Sequence, residues 1–231
     1  MKTVCYFITR NLYRDVFPSL KSLLKNGGIN RVYIFAEDDD IGFDLPEKVI
    51  VQNVEPWKKL LDPNGPNYNC RWTYMVMMKV ALCEMLHKVD KALTLDVDTI
   101  VRGDISGLWD IDLTDYYFAG VREPYWYRRL HREYVNAGVL LWNLNKMRDG
   151  TAQNVIRVMN RKPFIFVEQE ALNEMCFDGI KTIDGRYNAG DWTEKPTEPV
   201  LIRHLMASHG AWVNDFEVNM YREMPWEEVF G

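Results

Sequence analysis

Short β-rich apolar runs alternate with helix-period stretches along the first two-thirds of this chain, and that alternation narrows its folds more than any other feature. Thr3 to Thr9 is a compact β-rich run and predicts a first strand. Val16, Phe17, Leu20, Leu23 and Leu24 follow at helical spacing and stop at Gly27-Gly28. Arg31 to Ala36 and Lys48 to Val54 predict two more strands, and the proline- and glycine-bearing stretch Leu61 to Asn69 predicts a loop. Arg71 to His87 reads as one helix, apolar nearly all round from Trp72 to Leu86, which predicts burial. Ala92 to Leu95, Tyr117 to Val121 and Val135 to Leu144 read as strands, with a short helical turn near Gly107-Leu108-Trp109. Residues 145 to 160, broken at Gly150, and Glu168 to Phe177 read as helices, Val200 to His204 as a last strand, and Phe216 to Phe230 as a short terminal helix. The pattern predicts an α/β sheet with helices on both faces. No repeat, low-complexity segment or linker interrupts it, so residues 1–231 read as one domain.

Ligands in such sheets gather at the carboxyl ends of the strands. Thr9, Asp96 and His204 all fall at predicted ends. At the end of the fourth strand stands Leu95-Asp96-Val97-Asp98-Thr99-Ile100-Val101. On an extended chain, residues two apart share a side. Paired carboxylates there suit a hard divalent cation such as Mg²⁺ or Mn²⁺. The same letters also fit a solvated turn, or the D-x-D-x-T motif of haloacid-dehalogenase-like phosphatases, in which the first aspartate is the nucleophile. The phosphatase reading requires the motif on the first strand and a later acidic pair after a glycine. Three strands precede it here, and Gly190-Asp191 is followed by Trp192-Thr193-Glu194-Lys195.

Lys79 is the only charge between Arg71 and Glu84 in the apolar helix. Such a group snorkels outward or meets an anion, a phosphate being the sharper expectation. The acidic cluster Glu37 to Asp40 reads as a solvated loop. The small pair Ala137-Gly138 at the mouth of its strand lets backbone approach a ligand closely or relieves packing. The formal net charge of −5 argues against a nucleic-acid partner, which needs a basic footprint. No apolar run approaches a membrane span, and the N-terminus carries no signal-peptide h-region. Cys5, Cys70, Cys83 and Cys176 are widely spaced and fit reduced thiols of a cytoplasmic protein.

The ordered set LDVDTIV, YVNAGVLLWNL, EQEALN, RYN and H-x-x-x-x-H-G-A-W resembles glycosyltransferase family 8, from Phe7 to Trp212. This family includes the glycogenins and bacterial lipopolysaccharide galactosyl- and glucosyltransferases. The resemblance implies a GT-A fold: a Rossmann-like, nucleotide-binding mixed sheet flanked by helices. It also implies a UDP-hexose donor, Mn²⁺ with Mg²⁺ as the alternative, and sugar transfer with retention to an acceptor hydroxyl. The acceptor could be a glycan, glycolipid, protein or small molecule.

By resemblance, Asp96, Asp98 and His204 are the metal ligands. Thr9, Asn11 and Tyr13 fall in the first-strand loop that holds the uracil, and Val97 lies between the aspartates on the donor side. Lys79 falls where the family places a basic residue near the donor. Asn136, Ala137 and Gly138 match its sugar- and ribose-contacting N-A-G. Glu168 and Gln169 match the first two residues of its D-Q-D and take the catalytic role. Gln169 is an amide and a poor nucleophile, so front-face attack is expected rather than a covalent intermediate. Glu123 matches an acid contacting the donor sugar. Trp212 falls at the tryptophan of the C-terminal motif.

That motif's diphosphate-binding lysine is Gly210 here, with Ala207 and Ala211 at its glycine and proline, and His209 is the neighbour able to substitute. A first-strand aspartate of many relatives is Arg10. These departures support an alternative: a catalytically degenerate member that binds a nucleotide-sugar or glycan without turnover. The basic, aromatic stretch Pro124 to Tyr134 is the expected acceptor side.

Overall fold

The computed structural model describes residues 1–123, 134–190, 196–206 and 209–230, with the side chains of 209–211 outside the description. Most of Pro124 to Tyr134, together with Ala207 and the His209 side chain, therefore lies outside the described residues.

Seven strands form one mixed sheet. They are β1 (Thr3–Phe7), β2 (Arg31–Ala36), β3 (Val49–Asn53), β4 (Lys91–Leu95), β6 (Phe118–Arg122), β7 (Val135–Asn143) and β8 (Ile180–Ile183). Their spatial order is β3-β2-β1-β4-β7-β6-β8. The first four run parallel, and β7 then packs antiparallel against both β4 and β6. A separate antiparallel pair joins β5 (Thr99–Val101) to β9 (Ile202–His204).

The helices are α1 (Val16–Asn26), α2 (Thr73–Met78), α3 (Leu82–Met85), α4 (Leu144–Met147), α5 (Thr151–Met159), α6 (Val167–Met175), α7 (His209–Asn214), α8 (Phe216–Glu223) and α9 (Trp226–Phe230). They cover both faces of the sheet, so its central strands read as continuous apolar runs. Along β7 the side chains alternate between two cores. Val139 and Leu141 join Leu20, Leu23 and Leu93, while Leu140 and Trp142 join Met78, Leu82 and Met147. Trp142 has no exposed surface, donates its indole N–H to Thr94 Oγ1 at 2.9 Å, and packs on Phe118 with centroids 5.6 Å apart.

Three expectations change. The single helix over Arg71 to His87 is instead α2, a 3₁₀ turn at Lys79–Ala81, and α3. Thr73 has φ +63°, so the α-helix cannot begin before it, and an apolar pattern does not distinguish 3.0 from 3.6 residues per turn over one turn. The strand ending in His204 does not join the main sheet. It pairs with β5, a three-residue strand hidden directly behind the acidic pair. The tail forms α8 and α9, separated at Met224-Pro225, because proline cannot continue a helix.

Trp142→Ala removes ring packing and a buried hydrogen bond together. The expected loss of unfolding free energy is about 3–5 kcal/mol. Denaturant titration measures it, and a loss below about 1 kcal/mol would contradict this packing.

Candidate functional site

β4 ends at Leu95, and the backbone N–H of Asp96 still bonds Gly138 O on β7, at 2.8 Å. Asp96, Val97 and Asp98 then form a turn rather than extended chain, so strand alternation is not what brings the two carboxylates together. The turn is closed by Thr99, whose hydroxyl donates to Asp96 O at 2.8 Å and meets the buried Ser19 hydroxyl at 2.8 Å. The β5–β9 pairing sets Thr99 opposite His204, and Leu205 N–H bonds Asp98 O at 2.9 Å. Asp96, Asp98 and His204 thereby bring one ligand atom each within 4.8 Å of one another.

The histidine is oriented by a chain of amides. Asn136 Oδ1 accepts Gly138 N–H at 2.9 Å and Asn188 Nδ2 at 3.0 Å. This turns Asn188 Oδ1 toward His204 Nδ1 at 2.9 Å, which places a proton on Nδ1 and leaves Nε2 facing Asp98 Oδ1 at 3.2 Å. Burial opposes the imidazolium, but the Asp98 carboxylate outweighs it and holds the His204 pKa above its ordinary value. Burial likewise opposes the Asp98 carboxylate, yet His204 holds it below the usual range. Gly138 makes the approach possible: a Cβ there would sit 2.2 Å from His204 Cε1. Two carboxylates and a neutral imidazole form a donor set that fits a divalent cation.

Lys79 does not snorkel. It is 4% exposed, and its ammonium lies 2.5 Å from Asp96 Oδ1 and 3.1 Å from Glu168 Oε1. Burial opposes the charge, and the two carboxylates reverse the effect and raise the Lys79 pKa. Glu168, at the start of α6, is raised by burial against the pull of Lys79. Beside it, Gln169 Oε1 accepts Ala137 N–H at 2.9 Å, which fixes its amide; Nε2 donates to Glu123 Oε2 at 2.9 Å and to Tyr134 Oη at 3.2 Å. Glu123 follows a register shift between β6 and β7, is nearly buried, and has its pKa raised by burial. Asn173, one α6 turn on, clasps both backbone groups of Val135 and ties the helix to β7.

These residues line a cleft of about 850 Å³, its open mouth included. Asp96, Asp98, Glu123, Asn136, Ala137, Gly138, Glu168, Gln169 and His204 all reach its wall. Lys79 stands behind Asp96 and Glu168. Thr9, Asn11 and Tyr13 are not on this wall. The Thr9 hydroxyl bonds the Asn11 side chain, and Tyr13 donates to Asp38 Oδ2 at 2.9 Å. Asn11 and Tyr13 border a separate surface hollow with Ile41 and Phe43. Val97 packs against the core beneath the turn. The acids read as a solvated loop are partly engaged. Arg10 grips Asp38 at 2.6 and 2.7 Å and draws its pKa down to about 2, while Glu37 takes Arg10 N–H and the Tyr74 hydroxyl, each at 2.8 Å. Trp212 is buried against Ile100, Val218 and Tyr221, beneath the β5–β9 pair.

Sequence reasoning missed Arg71, Trp72, Val76, Phe166 and Met206 on the wall. Trp72 was expected in a buried helix and is 39% exposed. The available signal was the bulky pair Arg71-Trp72 directly after a proline- and glycine-bearing loop.

The sequence profile of glycosyl transferase family 8 matches residues 36–198, and the chain belongs to that family. GlyE, a glycosyltransferase of Streptococcus pneumoniae, is 27% identical over 240 residues, covering 93% of this chain and 57% of GlyE. A Haemophilus influenzae protein provisionally named a glycosyltransferase is 32% identical over 138 residues, covering 54% of this chain and 40% of that protein. The chain thus spans about half the length of these curated relatives. The solved structure of the galactosyltransferase LgtC with donor and acceptor sugar analogues superposes with a TM-score of 0.73 at 20% identity, covering 98% of both chains. The mixed sheet is that of the GT-A glycosyltransferases. Family membership sets the phosphatase reading aside.

Gly138→Ala drives a methyl group into His204. Mn²⁺ affinity is expected to fall about tenfold or more with the fold retained. Calorimetric titration alongside far-ultraviolet circular dichroism measures both, and unchanged affinity would refute the geometry.

Proposed function

We propose that this chain transfers a hexose from a UDP-sugar to an acceptor hydroxyl with retention of anomeric configuration, with Mn²⁺ or Mg²⁺ at Asp96, Asp98 and His204. The observation that carries this reading is the convergence of those three ligands at the wall of a cleft that also holds Gln169, Glu168 and the small N-A-G turn. A divalent cation there supplies Lewis-acid stabilisation of the departing diphosphate. Lys79 holds Asp96 in place and adds positive potential behind it. Asn136, Ala137 and Gly138 admit the sugar and ribose close to backbone.

Gln169 is locked by Ala137, Glu123 and Tyr134, which suits a residue that orients the sugar or stabilises an oxocarbenium-like centre rather than one that attacks it. Glu168, beside Lys79, is placed to assist in orienting the donor sugar. The acceptor hydroxyl attacks from the leaving-group face, and the departing phosphate takes its proton. As the family resemblance suggests, Thr9, Asn11 and Tyr13 form the uracil end and Val97 lies between the aspartates on the donor side; His209 is the neighbour able to substitute for the absent diphosphate-binding lysine. We read residues 1–231 as one catalytic domain acting in the cytoplasm. No described helix is long and apolar enough to cross a membrane.

UDP-hexose turned over with Mn²⁺ should release UDP, slowly without acceptor. Asp98→Asn should lower that rate by about 100-fold or more with folding unchanged. A mutant as active as the parent chain would overturn the metal assignment, and stoichiometric UDP binding with no turnover across a broad acceptor panel would favour the degenerate binder.

Cation binding also competes with the proton on His204. Because Asp98 raises the His204 pKa while its own is lowered, Asp98 stays anionic and His204 is the group that titrates. Mn²⁺ affinity should be full above the raised His204 pKa and fall as pH drops through it. A calorimetric profile that stays flat from alkaline to acidic pH would exclude the histidine as a ligand.

A further inference from the structure

We propose that Arg71 binds the diphosphate of the donor, taking the part for which position 210 offers only glycine, and that Trp72 positions it. This rests on the nucleotide-sugar reading above. Charge balance in the cleft is the first ground. Its wall carries four carboxylates, on Asp96, Asp98, Glu123 and Glu168. Lys79 is already held between two of them. A divalent cation offsets two more charges, and an incoming diphosphate restores the excess of negative charge. His204 must be neutral to ligate. Among the described residues on the wall, Arg71 is the permanent cation with no ion pair or hydrogen bond of its own.

Local structure is the second ground. The guanidinium carbon lies over the Trp72 ring, 5.0 Å from its centroid. That ring is itself held: its N–H donates to Ile165 O at 2.9 Å, and Phe166 packs beside it at 6.1 Å. Thr73 follows with φ +63°, a conformation that β-branched residues rarely adopt, and it turns Arg71 and Trp72 out of the helix onto the cleft wall. An arginine stacked on an indole is partly desolvated and loses less freedom on binding, and its planar fork matches phosphate oxygens two at a time.

The test is calorimetry on the full chain with saturating Mn²⁺, using UDP and inorganic pyrophosphate as probes, on the parent chain and on Arg71→Ala, Arg71→Lys and Trp72→Phe. Arg71→Ala should weaken both probes about tenfold or more, while Mn²⁺ alone binds as before. Arg71→Lys should fall between, since it keeps the charge and loses the fork. Trp72→Phe keeps a ring and loses the anchor to Ile165, and should weaken both probes by a smaller factor. Undiminished UDP and pyrophosphate affinity in Arg71→Ala would overturn the proposal, and so would a matching loss of Mn²⁺ affinity, which would mean that Arg71 acts through the shape of the site. If the parent chain binds pyrophosphate and another nucleoside diphosphate but not UDP, the donor assignment fails and Arg71 is judged on those ligands. If it binds no diphosphate, both readings fail.

Discussion

The buried ammonium of Lys79 holds the site together. An isolated charge at that depth would cost several kcal/mol, so it persists only because Asp96 and Glu168 close on it from two sides. These three residues come from the break between α2 and α3, from the end of β4 and from the start of α6. One triad therefore ties two layers of the fold to the turn carrying the candidate ligands. The arrangement is asymmetric: removing one partner from a buried set of this kind strands the others, at about 3–5 kcal/mol. Asp96 stands beside Asp98 and His204, the other candidate cation ligands, while Glu168 is held with its pKa raised by burial.

The second constraint is geometric. His204 can face Asp98 only because Gly138 has no Cβ, and its ring is turned by Asn188 and Asn136 through hydrogen bonds whose directions follow from one backbone N–H. The N-A-G turn thus has two tasks. Ala137 N–H fixes Gln169 and Gly138 N–H fixes Asn136, so the two sides of the cleft are set by adjacent backbone donors. Hydrogen bonds from fixed backbone donors hold both side chains in one orientation.

Much of this was legible in the chain. The strands β1, β2, β4 and β7 show because both faces of a central strand are covered, which leaves uninterrupted apolar runs. Asp96, Asp98 and His204 were readable as strand-end groups, and Lys79 as a charge with no business in an apolar stretch. The first-strand loop was harder. Thr9, Asn11 and Tyr13 look alike as polar loop residues, but Tyr13 and its neighbour Arg10 turn toward Asp38, a partner 25 or more positions away. Trp72 was misplaced because one residue, Thr73, leaves the helical region, and apolar periodicity carries no record of a single backbone angle.

The sequence by itself determined the α/β architecture and the chemical types of the candidate ligands, because periodicity and residue type act locally along the chain; the mixed sheet and the family were implied by the resemblance of its ordered motifs. Only the tertiary structure decided how those ligands meet. Asp96 and Asp98 converge through a turn, not through strand alternation, and His204 joins them across a three-residue strand too short to announce itself. The same holds for Arg71, whose place on the cleft wall depends on a backbone reversal and an indole anchored to Ile165, contacts between segments more than ninety residues apart.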